Sequence, residues 1–417
     1  MIQEFLLFLS KINRSTKGSF IPYSFIQAFN ALAPIIILPY LIAQLGLKGY
    51  GYIAITLSLT IIINLVIDYG FNTTSTKKIS QTEDIQLISY EFCSVFLTKF
   101  LVTCFIVPLA LLLLIYLNTE IFEFFICNLG MILSSTLASN FVFYGMQRVK
   151  IIALITFISK LFLILTTFFF VGSGDEKVFL LLNSASFLFT SLSLLLYLFM
   201  NLKIKLTKVG SKKIYELFIE GKDIFISNLS ITMYTSAIPF LMSFVLSVKE
   251  IGIFSAFEKI SQGLRVMYTP VSQTLFPYFS KIFNINSLDA LREIRYLIII
   301  FSTLFGVGYL FLFFISEYVI SFLSLSHIEN SLIYYLLFCL APLLAAISNI
   351  IGNLYLIPNN YESLYMKNII VGAITSLLLY YVLSSYFYLQ GAVTAFFVTE
   401  LIILFLMYVT FKVKSPK

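Results

Sequence analysis

Charge is scarce in this chain. Only 11% of its 417 residues are Asp, Glu, Lys or Arg, where ordinary soluble domains carry about a quarter. That shortage excludes a water-soluble fold. There is one histidine, His327, in a polar loop, and no HExxH pair, which excludes zinc catalysis. No GxxxxGK(S/T) phosphate loop occurs; "GSGDEK" (Gly172–Lys177) resembles one only superficially, so ATP hydrolysis by this chain is not expected. The four cysteines, Cys93, Cys104, Cys127 and Cys339, lie inside apolar runs without paired spacing. They fit packing residues, neither disulfides nor metal ligands. The opening "MIQEFLLFLSKINRSTKGS" has no basic start and no small-residue cleavage site, so a cleaved signal peptide is not expected.

Apolar surface is what the chain has in abundance. It is 59% hydrophobic, with a mean hydropathy of +0.97. Repeated apolar runs of about twenty residues each match the thickness of a bilayer. They predict an all-α polytopic membrane protein of twelve transmembrane helices, near 21–43, 49–70, 88–117, 121–146, 151–171, 178–201, 223–247, 251–276, 293–315, 332–357, 363–386 and 391–411. Residues 1–20 read as an amphipathic helix on the cytoplasmic surface. Residues 21–201 form a first six-helix lobe, 202–222 a basic cytoplasmic linker, 223–411 a second six-helix lobe, and 412–417 a cytoplasmic tail. With this count, 20 of the 27 Lys and Arg fall on the side of the N-terminus. Lys48, Lys177 and Lys249 fall on the other side. The positive-inside rule then puts both termini in the cytoplasm. The net charge of +7 records orientation and not a nucleic-acid partner.

The halves repeat at a shift of about 200 residues. "LGLKGYGYIA" (Leu45–Ala54) follows the first span and "LSVKEIGIFSA" (Leu246–Ala256) the seventh, aligning Lys48 and Gly51 with Lys249 and Gly252. Both preceding spans carry proline, Pro34 and Pro39 in one and Pro239 in the other. Six spans per half make the repeat parallel, a transporter plan in which one lobe rocks against the other.

Four cations lie inside spans: Lys99, Lys160, Lys259 and Arg265. At about 1.5 Å per residue, Lys99 and Arg265 are roughly 16 Å deep and Lys160 roughly 14 Å. A charge facing lipid at that depth costs a few kcal/mol. These groups therefore face the interior, as structural pairs or as the lining of a wet cavity. Glu258, Gln262, Arg265 and Thr269 share one helix face, and Lys259 lies off it. No acid is within a turn or two of Lys99 or Lys160. Asp68 is placed to pair with Lys77 or Lys78, or to bind a cation. Glu400 is a counter-ion to one of the cations or a proton or sodium site. No catalytic constellation is present, and no metal ligand set.

Three stretches resemble the bacterial polysaccharide transporters: "VIDYGFNTTSTKKIS" (Val66–Ser80), "ISNLSITMYTSAIPFLMS" (Ile226–Ser243) and "KEIGIFSAFEKISQGLRVMYTPVSQTLFPYFSK" (Lys249–Lys281). Their order and spacing make the whole chain similar to the O-antigen flippases of the multidrug/oligosaccharidyl-lipid/polysaccharide exporter superfamily. The resemblance implies transport of an undecaprenyl-diphosphate-linked oligosaccharide across the bacterial inner membrane, for lipopolysaccharide biosynthesis. It implies no enzyme activity and no cofactor beyond a coupling H+ or Na+. Membrane lipid, a polysaccharide polymerase and a chain-length regulator are the candidate partners. Arg265, Lys99, Lys160, Lys259 and Gln262 are then expected to meet the diphosphate and glycan, and Glu258, Glu400 and Asp68 to couple the ion. The alternatives are a multidrug/cation antiporter of the same superfamily, which should favour an acidic cavity, and a membrane polysaccharide polymerase, which should carry larger outer loops.

Overall fold

The computed structural model describes residues 14–414 except 118, 267 and 286. Most of the expected amphipathic N-terminus, residues 1–13, lies outside the described residues, as do 415–417 of the tail. The described chain is helical, without strands. The run Arg14–Asp68 breaks at Gly46, whose φ of 68° is open to glycine at no steric cost. It is therefore two helices, α1 (residues 14–45) and α2 (47–68). There follow α3 (Phe71–Ile79), α4 (Ile85–Leu117), α5 (Thr119–Cys127), α6 (Leu129–Leu137), α7 (Asn140–Gly145), α8 (Val149–Phe170) and α9 (Glu176–Met200). Next come α10 (Ser211–Tyr234), α11 (Ile238–Met242), α12 (Val248–Arg265), α13 (Thr269–Ile285), α14 (Ser287–Phe314), α15 (Ser316–Phe322) and α16 (Ser331–Asn349). α16 continues as a π-helical stretch, Ile350–Leu356. The last run, Glu362–Lys414, breaks at Tyr388 (φ 48°) into α17 (362–387) and α18 (389–414).

Seven helical runs among the described residues are long and apolar enough to cross a membrane, or eight if the bent pair Glu120–Cys127 and Leu129–Gly145 is one span. The protein is thus a multi-pass membrane protein. One of these runs, Glu362–Lys414, has 53 residues, more than twice the roughly 20 needed to cross once. The expected spans at 223–247 and 251–276 are not single apolar helices. The first is α10 followed by the short α11, which starts with Pro239 in its first turn. The second is broken into α12 and α13, with Pro270 in the first turn of α13. Proline is tolerated there because the first turn of a helix has no amide partner to lose.

The chain divides into two compact units, Ile36–Ile253 and the chain up to Ile35 together with Phe254–Lys417. In the first, the 42° bend between α5 and α6 falls at fully buried Asn128. Its amide donates to Thr60 Oγ1 (2.7 Å) and its carbonyl accepts from Ser184 (3.2 Å). Ser159 with Ser186 (2.8 Å) and Thr103 with Thr136 (2.7 Å) tie further helices in the same way. Such bonds substitute for a hydrophobic driving force that apolar helices lack in lipid. The second unit is held by aromatic packing: Phe254, Phe257 and Phe396 surround Phe338 at ring separations of 4.5–6.1 Å.

Candidate functional site

In the first unit, the turn between α2 and α3 organises the charges. Tyr69 (φ 44°) and Gly70 (φ 85°) are both left-handed, which reverses the chain between Asp68 and Asn72. Both side chains converge on Lys99 of α4. The ammonium lies 2.9 Å from Asp68 Oδ1 and donates to Asn72 Oδ1 at 3.0 Å, with the Phe141 ring 5.9 Å away. Lys99 does have an acid beside it, supplied by a helix distant in sequence. Asp68, expected to face Lys77 or Lys78, pairs with Lys99 instead.

The two members of this pair differ in exposure: the Lys99 side chain is 1% exposed and that of Asp68 22%. Removing the acid leaves a buried ammonium with Asn72 alone, and removing the cation leaves a carboxylate whose Oδ1 is buried but whose side chain is partly exposed. Asp68→Ala is therefore expected to destabilise by about 3–5 kcal/mol, and Lys99→Met by clearly less. The double variant should track Lys99→Met. Thermal melting in detergent measures all three.

Lys160 on α8 is the contrasting case. It is buried, and its ammonium lies 4.0 Å from the centroid of the Phe187 ring on α9. Among the described residues no acid pairs with it and no hydrogen bond reaches it.

In the second unit the α12 stripe forms a chain of bonds. Lys259 Nζ donates to Gln262 Oε1 (3.0 Å), and Gln262 Nε2 donates to Glu258 Oε1 (2.9 Å). Lys259 joins the stripe because residues three apart are helical neighbours. Arg265 donates to Glu400 Oε1 of α18 at 2.5 Å, with its guanidinium 5.7 Å from the Phe396 ring. Arg265 is the last residue of α12, where the helix dipole favours a cation. Two cations and two acids leave this cluster neutral. Glu258 and Glu400 are buried, while the Arg265 side chain keeps 22% of its surface open.

Two sets of residues went unnoticed in the sequence. Ser376, Tyr380 and Ser384 lie on one face of α17 at four-residue spacing; Ser255 and Ser261 lie on α12. All five hydroxyls are buried without a hydrogen-bond partner among the described residues. The two helices pack together, with the Phe254 ring of α12 6.1 Å from that of Tyr380 on α17. Buried hydroxyls of this kind require water or a polar ligand. The four-residue spacing was the available signal, hidden because serine is common among packed membrane helices.

The other missed residue is Glu91 on α4, buried where α3, α4 and α10 meet. It accepts from Ser75 (2.7 Å) and pairs with Lys213 (2.9 Å) and Lys78 (3.7 Å); Lys78 also pairs with Glu220. Burial works to lower the Lys213 pKa, but its bond to Glu91 prevails and raises it.

The sequence model of the polysaccharide biosynthesis protein family matches residues 16–283. A putative O-antigen transporter of Escherichia coli (strain K12) is 23% identical over 399 residues, covering 94% of this chain and 96% of its own length. One from Shigella dysenteriae is 26% identical over 391 residues, covering 92% and 96%. Among solved structures, the inward-facing form of a MATE multidrug transporter of the MOP superfamily superposes with a TM-score of 0.75 at 11% identity, covering 93% of this chain and 94% of that one. The lipid II flippase MurJ, inward closed, gives 0.65 at 13% identity, covering 94% and 87%. The fold is that of these transporters. With more than half of its length matched, the chain belongs to the polysaccharide biosynthesis protein family.

Proposed function

We propose that this protein is a flippase for O-antigen-type repeat units, carried on undecaprenyl diphosphate, across the bacterial inner membrane. The observation that carries this reading is the nearly end-to-end alignment with two O-antigen transporters. The charge pattern agrees with it. A lipid-linked diphosphate is a strong anion, and Lys160 and the partly open Arg265 are the mid-depth cations best able to attract it. Lys99 and Lys259 act at one remove, by holding Asp68 and the Glu258–Gln262 pair. The unpartnered hydroxyls of α12 and α17 suit a hydrated passage for a glycan. Glu258, Glu400 and Asp68 are the groups through which H+ or Na+ would couple. In this reading both termini lie in the cytoplasm, which the 20-to-3 distribution of Lys and Arg supports. A polymerase and a chain-length regulator are the natural downstream partners.

Twelve spans in two lobes, 21–201 and 223–411, related by a parallel repeat, complete the reading. Its support is a reciprocal contact. A Cβ on Gly51 would lie 2.0 Å from the Val248 carbonyl oxygen, and one on Gly252 1.9 Å from that of Leu47. Adding 201 to 51 and to 47 gives 252 and 248, so each contact is the image of the other. A local twofold axis along the membrane normal produces such a pair.

Cells lacking the protein are expected to accumulate the lipid-linked repeat unit on the inner leaflet and to lose surface glycan. Labelling of the unit from each side of the membrane measures this. Export of single, unextended units would identify a polymerase instead, and efflux of cationic dyes with normal surface glycan a multidrug antiporter.

A further inference from the structure

The linker between α9 and α10 is not a free tether. After a left-handed residue at Lys203 (φ 55°), residues 205–207 run along α4, pinned by backbone bonds. Lys205 N–H donates to Ser89 Oγ (3.1 Å), Thr207 N–H to Cys93 Sγ (3.3 Å), and Cys93 Sγ–H to the Lys205 carbonyl (3.6 Å). Leu202 and Ile204 are buried against the unit, while Lys203 and Lys205 are exposed. Lys208 and Lys212 follow, also exposed. None of these four side chains has an ion pair or hydrogen bond among the described residues. Residues 202–212 contain no acid. Lys213 differs, being turned inward to Glu91.

Apolar side chains share this outer surface. Leu206 is 75% exposed, Tyr215 67% and Ile219 59%. Tyr215, Ile219, Lys222 and Ile226 form one outward stripe of α10, at spacings of four, three and four residues. The opposite face, with Leu217 and Gly221, is buried in the unit. The acids of α10 are Glu216, Asp223 and Glu220, and Glu220 is held by Lys78. Exposed apolar groups interleaved with unpaired lysines match neither bulk water nor the hydrocarbon core. They match the headgroup layer, where lysine stems lie along acyl chains and ammonium groups meet phosphate.

We propose that the strip Lys203–Lys212, with the outer stripe of α10, is a binding surface for anionic phospholipid headgroups. It holds the basic end of the first unit at the headgroup level of the bilayer. Its test reads lipid contact rather than transport.

Because the chain has no tryptophan, Leu206→Trp provides a single fluorescent reporter on the strip. The full-length protein is reconstituted with brominated phosphatidylglycerol or brominated phosphatidylcholine, and quenching gives the relative association of each lipid. The anionic lipid is expected to be preferred by about ten-fold. The preference should fall towards one at about 1 M salt, where screening is within about 3 Å. It should also fall towards one when Lys203, Lys205, Lys208 and Lys212 are all changed to Gln, and persist when all four are changed to Arg. Equal quenching by the two lipids, an undiminished preference in the Gln variant, or no quenching by either lipid would overturn the proposal. If the Gln variant does not fold, the salt titration of the reporter protein decides alone.

Discussion

Arg265→Ala is expected to abolish glycan export and to lower the amount of folded protein, and the two losses should separate when Glu400 is changed as well. Glu400 is buried and accepts from Arg265 at 2.5 Å. Removing the guanidinium alone leaves that carboxylate without its partner, at about 3–5 kcal/mol. The single variant therefore confuses a folding defect with a transport defect. The pair Arg265→Gln with Glu400→Gln removes both charges and keeps hydrogen-bonding groups of similar size, so folded protein should recover. Glu400→Gln alone, which keeps the guanidinium, reports the loss due to Glu400 itself; if Arg265 served only as counter-ion, export by the pair would equal export by that single variant. If Arg265 also meets the diphosphate, export by the pair stays below that of Glu400→Gln by on the order of ten- to hundred-fold, the value of about 1.5–3 kcal/mol for a hydrogen bond to a charged group. Arg265→Lys should fall between, since an ammonium cannot bind an oxyanion in the bidentate geometry of a guanidinium. Protein level by immunoblot and surface glycan by gel separate the readings.

Gly51→Leu and Gly252→Leu are expected to be the most disruptive changes outside the charged sites. Even the first carbon of either side chain would lie about 2 Å from a backbone oxygen. The obstacle is backbone, so no rotamer change relieves it and the helices must separate. The loss should be about 3 kcal/mol or more, at or above the upper end of overpacking. The two variants should behave alike, because each contact is the image of the other. Gly306→Ala and Gly308→Ala on α14 serve as controls. A Cβ at either meets nothing within 4 Å, so both should be neutral or stabilising by up to about 1 kcal/mol. Thermal melting of the four variants in detergent makes the comparison.

The helical, membrane-spanning character was legible because the bilayer imposes a simple length rule, and the chain obeys it with little charge. The breaks at Gly46 and Tyr388 fall in the gaps between expected spans, where apolarity lapses. The break after Arg265 was not legible. Pro270 marks it, yet prolines such as Pro108 and Pro342 sit inside unbroken helices, so proline alone does not set a boundary. The charged positions were visible as exceptions to an apolar background, but their partners were not. Lys99 finds Asp68 only because two left-handed residues, Tyr69 and Gly70, fold α3 back beside α4. Arg265 finds Glu400 across 135 residues of sequence. Pattern within a helix reports which face is polar. It does not report which helix that face will meet. Glu91 was overlooked for the same reason, since its partners come from α3 and α10.

The most direct measurement is leaflet transfer in proteoliposomes loaded on one side with an undecaprenyl-diphosphate-linked repeat unit, followed by labelling of the glycan from outside. The expected result is transfer by the wild-type chain, and transfer by the folded Arg265→Gln, Glu400→Gln pair well below that of Glu400→Gln alone. Transfer by the folded pair at the rate of Glu400→Gln alone would contradict the assignment of Arg265 to the head group, and no transfer by the wild-type chain would contradict the flippase itself.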